Sequence, residues 1–101
     1  MTGGWARALA EAPDDWQAML KQSVRADLRA ASEALVTCDA PAIAFIAHRL
    51  NGSARLMDNG RAMVWCASLE RAGRAGDIAG IGRLLVEVER AFDAALFVPS
   101  R

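Results

Sequence analysis

At 101 residues with 53% hydrophobic content, the chain is large enough for one core and too small for two. Twelve Lys and Arg against twelve Asp and Glu leave no net charge, which argues against the basic footprint of a DNA or RNA binder. Tyrosine is absent and only three prolines occur, so the balance favours helix over sheet. The longest apolar runs, such as Ala42 to Ala47, fall far short of a membrane span. The first residues also lack the basic start and apolar centre of a signal peptide. A soluble, cytoplasmic unit without direct membrane contact is therefore expected, any membrane segments of a parent receptor lying outside it.

Met1 to Gly4 carry no apolar period, and Trp5 to Ala10 are expected to form a short leading helix that covers one end of the domain. Pro13 followed by Asp14 and Asp15 signals a helix start, since proline suits the first turn and acids favour the positive end of the helix dipole. The first long helix is expected to run to about Thr37. Trp16, Leu20, Val24, Leu28, Ala31 and Leu35 recur at spacings of four and three and form its buried face. Lys21, Arg25, Asp27 and Arg29 fall mostly elsewhere and read as a solvated face.

Cys38-Asp39-Ala40-Pro41 makes the next break, with Asp39 placed to cap a second helix and Pro41 tolerated in its first turn. That helix carries the stripe Ile43, Ile46, Leu50, Ala54 and Met57 and ends at the turn signal Asp58-Asn59-Gly60. Ala62, Trp65, Cys66, Leu69 and Ala72 supply a third helix, which Gly73 and Gly76 are expected to close; Asp77 caps the fourth. Ile78, Ile81, Leu85, Val88, Phe92 and Ala95 keep the period until Pro99. Four amphipathic segments with short links predict an all-α, antiparallel four-helix bundle with a short N-terminal helix, one domain over 1–101 with its core at about 14–97. Cys38 and Cys66 match no metal-ligand spacing and read as two core-like thiols rather than a disulfide or metal site.

The second helix holds the only histidine. At about 100° per residue, His48 falls nearly opposite the apolar stripe and should face solvent. One turn to either side lie Ala44 and Gly52, both too small to cover the ring. A mid-helix glycine costs roughly 1 kcal/mol against alanine, and close approach of a partner's backbone is the usual reason for one. His48 and Glu70 both lie eleven positions from Asn59, so an antiparallel hairpin brings them level. The Glu70 carboxylate then either accepts from one ring nitrogen, leaving the other as nucleophile, or is an ordinary surface glutamate.

Ala47-His48-Arg49-Leu50, then Gly52-Ser53-Ala54, with Leu69-Glu70 further on and Arg74-Ala75-Gly76-Asp77 before the last helix, resembles the histidine-containing phosphotransfer (HPt) domain. The likeness is closest to the HPt domains that end hybrid sensor kinases. It implies a phosphorelay: His48 accepts a phosphoryl group from a receiver-domain aspartate and passes it to another, with Glu70 orienting the imidazole. It implies receiver domains of response regulators, or of the same hybrid kinase, as partners, with magnesium brought by the receiver and no cofactor or metal of the domain's own. No glycine-rich phosphate loop or nucleotide motif is present, so no ATP site is expected. Ala44, Phe45, Arg49, Asn51, Gly52 and Arg55 are the expected receiver-docking residues. Asn51 stands where the family commonly has lysine; Arg55, about 20° around the helix from His48 and roughly 10 Å along it, is expected to supply the charge. The competing class is a non-catalytic helical module for interaction or dimerisation, in which His48 is incidental.

Overall fold

A computed structural model describes residues 14–94, which form four helices and no strand. Helix α1 spans Asp14–Val36, α2 Ala40–Leu56, α3 Gly60–Ala75 and α4 Ile78–Phe92. Their links of two or three residues are too short for anything but antiparallel neighbours. The expected leading helix at Trp5 to Ala10 and the stripe member Ala95 lie outside the described residues, as does the side chain of Trp16.

All three links have one construction. In each, a residue in the left-handed region (Cys38 at φ 55°, Asp58 at 51°, Gly76 at 70°) precedes the cap of the next helix. The cap's own N–H bonds back five residues: Asp39 to the carbonyl of Ala34, Asn59 to Ala54 and Asp77 to Ala72, at 2.8 to 3.0 Å. Its side chain then accepts from the N–H three residues on, at Ala42, Ala62 and Gly80. The orphan carbonyls of one helix and the orphan donors of the next are thus satisfied inside the turn. Asn59 adds a third bond, donating through Nδ2 to the Ala91 carbonyl at 3.3 Å and tying the α2–α3 turn to the end of α4.

This construction corrects two readings of the sequence. Cys38 is not a core thiol but an exposed turn residue; Cys66 alone is buried, and burial pushes its thiol up to about 12, leaving it an inert apolar filler. Gly73 does not close α3, which runs on to Ala75 and is capped by Gly76. It is buried within α3, where α2 crosses closest: a Cβ there would lie 2.8 Å from the Ala44 nitrogen and 2.9 Å from its Cβ.

The core is built as the apolar spacing requires. Val24, Leu28 and Ala31 of α1 meet Ile43, Ile46, Leu50 and Ala54 of α2, Cys66 and Leu69 of α3, and Ile81, Leu85, Val88 and Phe92 of α4. Full burial of each large member contributes about 1.5–3 kcal/mol, so packing outweighs the caps at roughly 1 kcal/mol each. Asp27 breaks the expected pattern: it belongs to no solvated face but is buried on the α2 side of α1, 3.1 Å from the Arg49 guanidinium.

Candidate functional site

The α2–α3 seam is close-packed at Ala44 and Gly73, which present almost no side chain to each other. One turn further along, the same closeness brings His48 and Glu70 together across it. The His48 Nδ1 lies 3.4 Å from each Glu70 carboxylate oxygen. Their exposures are opposite: the His48 side chain is 75% exposed and that of Glu70 only 13%. Glu70 is thus a seam residue rather than a surface glutamate. Arg74, one turn on in α3, donates from Nη2 to Glu70 Oε2 and holds the carboxylate in place.

A carboxylate only accepts, so the Glu70 contact favours the tautomer with its proton on Nδ1, in which Nε2 carries the lone pair. The contact is a long one, of a kind that tightens when a reacting partner is bound. Among the described residues no group of His, Cys, Asp and Glu could hold a metal ion. The arrangement offers an exposed imidazole with a carboxylate beside one ring nitrogen.

The six residues expected to dock a partner divide sharply. Gly52 is exposed and has nothing within 4 Å of where its Cβ would be, so nothing in this fold requires glycine there. Gly52→Ala should therefore raise stability by roughly 0.5–1 kcal/mol in urea unfolding, whereas Gly52→Leu should stay folded yet lose partner docking. Unchanged stability in the alanine variant would show an intrachain role for the glycine. Phe45 is 66% exposed, and Arg55 is exposed without an ion-pair partner among the described residues. All three share the outward face with His48.

Of the other three, Ala44 and Asn51 are half-buried, and Arg49, though exposed, is paired with a residue of α1. Ala44 is half-buried against Gly73. Asn51 is half-buried, and its Oδ1 is shut off from solvent without a donor. Arg49 is paired with Asp27. Burial raises the Asp27 carboxyl above the ordinary carboxylate range, with Arg49 pulling the other way more weakly. A carboxyl raised in the folded state favours folding most below its unfolded value, and that advantage is lost as pH rises through the raised one.

Two of these partnerships were missed in the sequence although signals existed. Leu20, Val24, Asp27 and Ala31 keep the same four-three-four spacing as the apolar stripe, which places Asp27 at its edge. Glu70 and Arg74 are four apart, the spacing at which helical charges pair.

No curated protein and no solved structure matches the chain. The family described as the Hpt domain matches over residues 15–96, which takes in all four helices up to the end of α4. The chain belongs to the histidine-containing phosphotransfer family and is a phosphotransfer domain of a phosphorelay.

Proposed function

We propose that His48 is the phosphoacceptor, taking a phosphoryl group from the aspartyl phosphate of one receiver domain and passing it to an aspartate of another. The exposed His48 ring, whose Nδ1 faces a Glu70 carboxylate that Arg74 pairs with, is the observation that carries this reading. In the forward step Nε2 attacks phosphorus, the P–O bond to the aspartate breaks, and the carboxylate leaves with the bonding pair. The ring becomes cationic as the N–P bond forms, and the Glu70 carboxylate at Nδ1 offsets that charge. The second transfer reverses the sequence with a fresh aspartate as nucleophile, so the domain itself consumes nothing.

Phosphoryl transfer of this kind rests on positioning and charge stabilisation. The receiver is proposed to bring the magnesium and the acidic pocket, and the domain to bring the docking face of Phe45, His48, Gly52 and Arg55. Arg55 is the cation of that face, in place of the lysine that Asn51 replaces. No helix among the described residues is long and apolar enough to cross a membrane, which fits a cytoplasmic module, either free-standing or at the end of a sensor kinase.

Single-turnover transfer from a phosphorylated receiver tests the assignment. Glu70→Ala should slow it roughly tenfold, the scale of losing an orienting partner, without abolishing it. Arg55→Ala should slow it a few-fold at low salt and hardly at all at high salt. Wild-type rates for Glu70→Ala would remove the orienting role. Transfer by Arg55→Ala as fast as wild type at low salt would leave Arg55 a bystander.

A further inference from the structure

We infer that Asp27 is a positioning residue, holding the Arg49 guanidinium at the α1 edge of the docking face so that it binds an acceptor oxygen on the receiver surface. The inference rests on the relay reading above and adds a residue from a helix that the reading does not use. Its starting point is a buried charge with no structural benefit. Asp27 is 5% exposed and meets Arg49 through one Oδ1 to Nη2 contact of 3.1 Å. A buried ion pair is commonly matched or bettered in stability by apolar residues of similar size. Here burial disfavours the carboxylate more than Arg49 favours it. An apolar residue of similar size at this edge would commonly serve the core as well, which leaves the pair open to a role besides packing.

The effect of the pair is geometric. Arg49 follows His48 directly and projects about 100° around α2 from it. Unpaired, so long a side chain would sample many rotamers, and docking would have to order it. Paired, its fork lies along the α1–α2 seam with its side chain still 54% exposed. Only Nη2 is committed; a guanidinium carries donors on its other two nitrogens as well, and these remain for a partner. The neighbours of Asp27 on α1 toward the outer face, Ser23, Ala26 and Ala30, are all small. Phe45 and Gly52 lie between this edge and the ring on the α2 surface. A receiver seated over His48 therefore reaches Arg49 at its margin. A contact there affects which receiver binds and how tightly, not the chemistry at Nε2, which faces elsewhere.

The experiment compares wild type, Asp27→Asn, Arg49→Ala and the double variant with two phosphodonors. One is a receiver domain charged with acetyl phosphate in the presence of magnesium, chosen because it labels wild type. The other is phosphoramidate, which is too small to need a docking face. Each single variant should raise the receiver concentration for half-maximal transfer roughly three- to tenfold, the size of one ordinary hydrogen bond at an exposed margin. The maximal rate and the phosphoramidate rate should stay within about twofold of wild type. The double variant should be no worse than Arg49→Ala, because Asp27 acts only through Arg49. An unchanged half-maximal concentration in Arg49→Ala overturns the contact. A loss in Arg49→Ala without one in Asp27→Asn overturns the positioning role, as does an equal slowing with phosphoramidate. Failure of every receiver tried to label wild type overturns the relay reading itself, a different result from any of these.

Discussion

His48→Gln should leave a folded bundle that takes up no phosphoryl group from a charged receiver. The His48 side chain is 75% exposed, and its one polar contact is the long approach to Glu70, so the fold should change by no more than about 0.5 kcal/mol. Glutamine keeps the length of the side chain and can still donate to the Glu70 carboxylate, but its amide nitrogen has no lone pair free to attack phosphorus. No second imidazole exists in the chain. Nor can Cys66 substitute, being buried with its thiol pushed up to about 12. Wild-type label should be lost in acid and survive base, as expected of a nitrogen–phosphorus bond. Urea unfolding establishes that the variant is folded, and label from a charged receiver is measured beside it. Undiminished labelling of a folded His48→Gln protein would assign the phosphoryl group to another residue.

The four helices were legible because each is an amphipathic stripe between a cap and a turn, and both signals are local. Asp39, Asn59 and Asp77 begin their helices through the same bond to the N–H three residues on, a pattern that spacing alone reveals. The level match of His48 with Glu70 was legible for a similar reason: a three-residue link between antiparallel helices fixes the register by counting. Side-chain direction was less accessible. Cys38 looked apolar and therefore internal, yet it occupies a left-handed turn position that hairpin geometry imposes whatever the residue. Asp27 looked charged and therefore external, yet it sits at the edge of the stripe, where a cation from α2 can reach it. Asn51 was expected on the docking face, yet its amide oxygen is buried without a donor. Each of these depends on which helix packs beside a given flank, and the period of one helix does not contain that information.

Gly73 shows the same limit and leads to the second large effect. Counted from Cys66 and Leu69, it falls on the buried stripe of α3, so its lack of a side chain sets how near α2 can come. A Cβ at this position would stand 2.8 Å from the Ala44 nitrogen, 2.9 Å from its Cβ and 3.0 Å from its Cα. Two of those atoms are helix backbone and can yield only if α2 moves as a whole. Gly73→Ala would gain up to about 1 kcal/mol of helix propensity, but overpacking typically costs about 1–3 kcal/mol, so net destabilisation is expected. Gly73→Val, with two further methyls and a stiffer side chain, should cost roughly 3 kcal/mol or more. The outcome is opposite in sign to Gly52→Ala, although both replace a glycine in the α2–α3 pair. It should also reach the chemistry. His48 and Glu70 lie one turn from the crossing and are already 3.4 Å apart, so wedging the helices separates Nδ1 from its carboxylate. Transfer to folded Gly73→Ala should then slow toward the Glu70→Ala rate, with the docking face left in place. The measurements are urea unfolding and single-turnover transfer on the same preparations. Wild-type stability together with wild-type transfer in Gly73→Ala would mean that the Ala44 crossing can open without cost and does not hold the His48–Glu70 pair together.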